Sequence, residues 1–241
     1  MSIFLKGKKM SKLLYINSHP GNAEYSKSQQ IAEDFLQSYL AKHPDTQVTR
    51  LDLWQLDAPD VDAVVYSAFG VLMGGGSFES LNAEQQHALM KRQVIIDQFI
   101  AHDKYIFVAP MWEFSFPSVL KKYLDIICAA RQTFQYNEFG LPIGLLENKK
   151  ALFVQASGGN YTPEAAAQFR PILAAHPEAD KFLATFDRLG NFGEPIVRAT
   201  LAIMGVHDYQ HIMVPLQSKP DYAAAEFNSS LTKAKQLAIT W

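Results

Sequence analysis

The chain has 241 residues, of which 48% are hydrophobic and 19% charged, and its formal net charge is −2. That is the composition of a globular protein long enough for one substantial α/β domain, and it excludes a disordered chain. A near-neutral balance supplies no broad basic field for nucleic acid, and the single Cys128 excludes an intrachain disulfide or a multi-cysteine metal site.

Residues 1–9, with Lys6, Lys8 and Lys9, read as an extension ahead of the fold, with Met10 a candidate start; residues 10–241 read as one domain. The extension has no cleavage-like site, and no apolar run approaches the ~20 residues needed to cross a bilayer. A cytoplasmic protein with no membrane partner is expected.

The first strand is predicted over Lys12–Asn17, with residues 18–22 leaving it. A helix then opens at Ser26, with apolar residues at Ile31, Phe35, Leu36, Tyr39 and Leu40 in helical spacing. Residues 47–53 alternate as a second strand. Residues 54–80, with Gly74, Gly75 and Gly76 near the centre, read as a long irregular segment of the kind that serves as a lid or an interface. Asn82 and Gln85 form a capping-box pattern ahead of a helix to Ile100.

Residues 105–109 are a short apolar run ended by Pro110, as in a strand covered on both faces. Met111, Trp112, Phe114 and Phe116 follow in a loop, then a helix over 118–130. Apolar bulk at a strand's carboxyl end either awaits a ligand or another subunit, or only plugs the core. Both readings stay open at this point. Residues 134–136 and the turn at Gly140 form a small excursion. Lys150–Ala156 is a further strand, entering Ser157, Gly158 and Gly159; residues 162–188 mix helix and loop. A helix over 195–204, a last strand over 207–214 and a final helix over 222–239 complete the chain. Cys128 falls on an apolar helix face, as a buried inert thiol would.

Strands alternating with helices imply a five-stranded parallel sheet, doubly wound, with helices on both faces. Three strand-to-helix loops then open on one carboxyl edge. In the first, Ser26 and Ser28 stand at a helix N-terminus that favours a phosphate, although plain N-capping by Ser26 accounts for one of them. The second is the aromatic loop. The third is the Gly158–Gly159 turn, which permits close approach to the backbone. No dinucleotide G-x-G-x-x-G, P-loop, G-x-S-x-G or H-E-x-x-H pattern is present. Six of the seven histidines are expected on surfaces or helix ends; His19 differs, because the first loop would place it beside a ligand.

The run Ala109-Pro110-Met111-Trp112-Glu113-Phe114-Ser115-Phe116-Pro117, followed by Leu120-Lys121-Lys122-Tyr123-Leu124-Asp125, resembles the FMN-dependent NADH-azoreductase and NAD(P)H quinone reductase family, whose fold is flavodoxin-like. Thr133-Phe134-Gln135-Tyr136 with Gly140, Gly144-Leu145, Lys149-Lys150-Ala151, and Gly158-Gly159 with Tyr161 agree in register, so the likeness covers nearly the whole chain from Met10.

The resemblance implies tightly bound FMN, with NADH or NADPH as co-substrate and a quinone or azo compound as acceptor, served in turn at one site. By carry-over, His19, Ser26, Lys27 and Ser28 surround the phosphate and ribityl chain. Pro110, Met111, Trp112, Glu113 and Phe114 wrap the isoalloxazine, with main-chain N–H groups near N5 and O4. Ala156, Ser157, Gly158 and Gly159 meet its N1 and O2 end. No side chain is required as acid or base, but His19 and Tyr161 are positioned to assist protonation. A homodimer is implied, with residues 54–80 and the Phe114–Phe116 edge as contact.

The sequence departs from the family's pattern twice. Glu113 replaces an asparagine, losing an amide donor and adding a negative charge; Ala156-Ser157 replaces a Ser-Arg type pair, removing a positive one. Lack of a basic cluster leans to NADH. Two rivals are a flavodoxin-type electron carrier, usually smaller and more acidic, and a protein of the same fold that has lost FMN and only binds partners, which Glu113 would allow.

Overall fold

The computed structural model describes residues 10–241; the extension expected over residues 1–9 lies outside the described residues. Five parallel strands form the central sheet: β1 (Lys12–Asn17), β2 (Gln47–Asp52), β3 (Lys104–Pro110), β6 (Lys150–Ala156) and β7 (Asp208–Val214). A separate two-stranded antiparallel hairpin, β4 (Phe134–Tyr136) and β5 (Pro142–Gly144), forms the excursion around Gly140. The sheet order is β2-β1-β3-β6-β7, with all pairs parallel.

Burial follows that order. β3 and β6 each hide five consecutive residues, whereas the edge strands β2 and β7 are only partly covered. Alternate residues feed opposite cores, as the two-residue period of a strand requires. Leu13, Tyr15, Ile106, Val108, Leu152 and Val154 meet α1 (Lys27–Lys42) and α8 (Pro220–Thr240) on one face. Leu14, Ile16, Tyr105, Phe107, Ala151 and Phe153 meet α3 (Ala83–Ile100), α4 (Ser118–Ile127) and α7 (Gly193–Ile203) on the other. Cys128 caps α4, half-buried, and burial raises its thiol pKa.

Residues 54–80 are not irregular throughout. They contain α2 (Ala63–Met73), opened by the Asp62 carboxylate accepting the Val65 N–H at 2.9 Å, and a 3-10 turn over Phe78–Ser80. The helix escapes a periodicity search because AVVYSAFGVLM is apolar nearly all round, while only Val65 and Ala68 are buried. Residues 162–188 resolve into α5 (Pro163–Ala174), with Pro171 inside it, and α6 (Ala179–Phe186). Phe116 does not sit on an exposed edge, since it joins the core beside Leu120. No helix among the described residues is long and apolar enough to cross a membrane.

Candidate functional site

The chain runs outward from β1 to β2, then crosses back over β1 to form β3. Connections leave β1 and β3 in opposite directions along the sheet, which opens a crevice at their carboxyl ends. The three loops of interest leave β1, β3 and β6, the three central strands.

The first loop is held by its own side chains. Asn17, the last residue of β1, donates its amide to the His19 carbonyl at 3.0 Å and accepts the His19 N–H at 3.1 Å. Buried Gln29 reaches back from α1, donating to Asn17 Oδ1 at 2.9 Å and to the Gly21 carbonyl at 3.0 Å. The Gly21 N–H donates to His19 Nδ1 at 3.0 Å, so the neutral imidazole carries its proton on Nε2. Ser26 caps α1 by accepting the Gln29 N–H, and its hydroxyl lies 3.2 Å from that of Ser28. Both serines are buried, and no acidic residue occupies the first turn. Among the described residues the N–H groups of Lys27 and Ser28 meet no protein acceptor. Two hydroxyls, two free amides and the helix dipole make an anion cradle. The Lys27 ammonium is not part of it: it lies on Gln30 and 5.0 Å over the Phe227 ring of α8.

The aromatic loop is held from outside. Met111 N–H donates to the Ala156 carbonyl at 2.7 Å, extending the β3–β6 ladder by one bond. Glu113 and Phe114 then take φ of 45° and 62°, the left-handed region that L side chains disfavour. Long-range bonds hold that strain in place. The Phe192 N–H donates to the Phe114 carbonyl at 2.8 Å, and buried Gln155 donates to the Ser115 carbonyl at 2.6 Å. Asn191 secures Gln155 at 2.8 Å and caps α7 through the Gly193 and Glu194 N–H groups. The N–H groups of Trp112, Glu113 and Phe114 have no acceptor among the described residues.

The third loop commits its carbonyls and spares its amides. Ser157, Gly158 and Gly159 carbonyls accept from Gln217, Ser218 and Leu216, while the Gly158 and Gly159 N–H groups find no acceptor among the described residues. The Ser157 hydroxyl also donates to the Gly159 carbonyl. A Cβ on Gly159 would fall 2.8 Å from the tip of the Tyr161 ring, so a side chain there would push that ring aside. Tyr161 packs edge-on against Phe114 at 5.2 Å, joining the second and third loops. It also borders a cavity of about 760 Å³ along β7, between α5, α7 and α8.

His211 lines that cavity from the interior of β7, not from a surface or a helix end as expected. Burial, with the Arg198 charge as a lesser cause, lowers its pKa to about 4, and its ring stacks on Phe153 at 5.7 Å. His43 caps α1 and His102 follows α3, as expected, although His102 is buried between Gln98 and Thr49.

The rim therefore gathers His19, Ser26, Ser28, Met111 to Phe114 and Ser157 to Gly159, with Lys27 turned aside. Pro110 and Ala156, paired at the strand ends, form its floor. Sequence reasoning overlooked Asn17 and Gln29, whose signal was an amide at the last strand position and another in the first helical turn. It also overlooked Trp54, Gln155 and Asn191.

Residues 11–187 match the family model of the flavodoxin-like fold, and the chain belongs to that family. Among its relatives is FMN-dependent NADH:quinone oxidoreductase 2 of Bacillus licheniformis, 35% identical over 233 residues, which are 96% of this chain and 100% of that protein. The FMN-dependent NADH:quinone oxidoreductase of Bacillus pumilus is 44% identical over 159 residues, covering 66% of this chain and 75% of that one. In solved structures, an azoreductase from Bacillus anthracis superposes with a TM-score of 0.78 at 25% identity, covering 96% of this chain and all of the other. An FMN-dependent NADH-azoreductase from the same species, in complex with FMN, gives 0.74 at 27% identity over 95% of this chain and 100% of that chain.

Proposed function

We propose that this chain is an FMN-dependent oxidoreductase that passes two electrons from NADH to quinones or azo compounds. The observation that carries the reading is the set of main-chain donors, unpaired among the described residues, on three loops at one edge. Lys27 and Ser28 offer amides to an anion; Trp112, Glu113, Phe114, Gly158 and Gly159 offer them to the acceptor atoms of a flat ring. Amides without protein partners at a site poor in cations suit a ring with several carbonyl and imine acceptors joined to a phosphate.

In this reading Ser26 and Ser28 hold the phosphate and His19 the ribityl side, while Lys27 contributes its N–H and not its charge. Pro110 and Met111 support the ring, Trp112 to Phe114 take its N5 and O4 side, and Ala156 to Gly159 its N1 and O2 side. FMN, when bound, supplies the two-electron chemistry, and the protein supplies position and electrostatics. With the proton on Nε2, His19 is oriented as a donor, and Tyr161 is the second candidate. NADH and acceptor use the same opening in turn, which predicts parallel double-reciprocal plots; the absence of a basic cluster at the rim favours NADH over NADPH.

The work is done in the cytoplasm by residues 10–241 as one domain, paired as a homodimer. The exposed side chains of Tyr66, Val71 and Met73 on α2, with Phe78 after it, supply an apolar contact face. Light scattering of the active enzyme should return twice the chain mass. The decisive experiment is purification followed by cofactor release and an NADH–menadione assay. Yellow protein that yields FMN and turns over without a second protein is expected. Colourless protein that takes up no FMN would overturn the reading.

A further inference from the structure

Trp54 lies just past the carboxyl end of β2, outside every motif that marks the site. Its main-chain N–H donates to Asp52 Oδ1 at 3.0 Å, and its indole Nε1–H crosses to the Ser18 carbonyl at 2.9 Å. Ser18 is otherwise committed to β3, since its N–H and its hydroxyl both donate to the Val108 carbonyl, at 2.9 and 2.8 Å. The Ser18–His19 peptide is thus gripped from the strands on both sides of β1. The ring of Trp54 also lies 6.2 Å from that of Trp112, tilted by 59°. Both indoles are about two-fifths exposed, at 40% and 43%, so they stand at the opening and not in the core.

We infer that Trp54 is a positioning residue for the flavin site. Its N–H sets the first loop, which leads to the phosphate cradle, and its ring supports Trp112 on the loop that takes the isoalloxazine. One side chain thereby fixes the spacing between the phosphate side and the ring side before the cofactor arrives. Such preorganisation removes an ordering cost from binding. The inference rests on the proposed function, because it presumes that FMN bridges the two loops.

The two contacts separate experimentally. Trp54→Phe keeps a ring beside Trp112 and loses only the hydrogen bond. Its apoprotein should bind FMN about tenfold more weakly than wild type, the effect of one lost hydrogen bond. Riboflavin, which lacks the phosphate, should lose less than about threefold on the same scale. Trp54→Ala, which also removes the ring, should alter the visible circular dichroism of bound FMN, whereas Trp54→Phe should leave it unchanged. Equal losses for FMN and riboflavin, with a lowered melting temperature, would reduce Trp54 to a structural role, and unchanged FMN affinity in Trp54→Phe would end the clamp altogether. Wild-type protein that binds no FMN sinks the parent reading and this inference together, an outcome distinct from wild type that binds and a variant that binds as well.

Discussion

The first loop and the aromatic loop sit side by side on the rim, yet they are built in opposite ways. Past Ser18, which Trp54 and Val108 hold from the neighbouring strands, the first is tied by short-range polar bonds among Asn17, His19, Gly21 and Gln29, with no residue in the left-handed region. The second carries two consecutive left-handed residues and depends on Gln155, Asn191 and Phe192 from distant segments. A loop that satisfies itself survives changes elsewhere in the molecule. A strained loop lasts only while its surroundings over-determine it, and it can present a run of amides that relaxed backbone would have paired. The phosphate side is therefore robust from His19 onward and leans on the neighbouring strands only at Ser18, whereas the ring side is borrowed from the rest of the fold.

Removing the central tie should produce the largest effect. Gln155→Leu leaves the Ser115 carbonyl and the Asn191 amide without partners inside the protein. Both groups are only partly buried, so leaving them unsatisfied costs about 2 kcal/mol together, the low end of the range for such groups. Urea denaturation should register that loss, and isoalloxazine binding should fail while hydrogen exchange in residues 18–26 keeps its wild-type protection. Equal loss of protection in both loops would erase the distinction between them.

Acid should destabilise the fold through His211 on β7. His211 stays neutral in the fold down to about 4, against an ordinary value of 6.5. Below pH 6.5 the unfolded chain binds a proton that the native chain refuses, so stability falls as pH drops toward 4 and then levels. The slope approaches about 1.4 kcal/mol per pH unit within that window. Urea melts at pH 7 and pH 5 should show it, and His211→Phe, which keeps a ring against Phe153, should flatten it. Arg198 and Glu194 form an ion pair on neighbouring α7, so Arg198→Met is the control for a change in the local field.

On the phosphate side Ser26→Ala removes the cap of α1, for about 1 kcal/mol of stability. It should weaken FMN more than riboflavin, as measured by fluorescence titration, and leave the visible spectrum of the bound ring intact. That pattern is the reverse of the one expected for Gln155→Leu.

This asymmetry also explains how much could be read from the chain. β1, β3 and β6 were legible because burial on both faces forces short apolar runs, and the order of strands and helices then fixes where the loops open. Ser26 and Ser28 were legible because capping is local. Trp54 and Gln155 were not, since their partners stand 36 and 40 residues away and nothing in an isolated tryptophan or strand glutamine announces a reach of that length. α2 stayed hidden for a different reason: a helix without a polar face has no period to detect. His211 was misplaced because an edge strand buries only some of its residues, and a scattered histidine carries no mark of which ones.

The smallest effect addresses the strain itself. Asparagine tolerates the left-handed region better than glutamate, because its short amide bonds to nearby backbone, so Glu113→Asn should stabilise the protein by about 0.5 kcal/mol. An increased urea midpoint with unchanged slope would register the gain. Glu113→Gln is the necessary partner variant, since it removes the same charge without relieving the backbone. Both should shift the two-electron potential of the flavoprotein upward, because a carboxylate on the ring-side loop disfavours the electron-rich reduced state, while only the asparagine should raise stability. If glutamine stabilises equally, the gain is electrostatic and the left-handed turn at Glu113 costs the fold nothing measurable. If neither variant moves the potential, the Glu113 carboxylate points away from the ring, and the loop offers the cofactor its backbone alone.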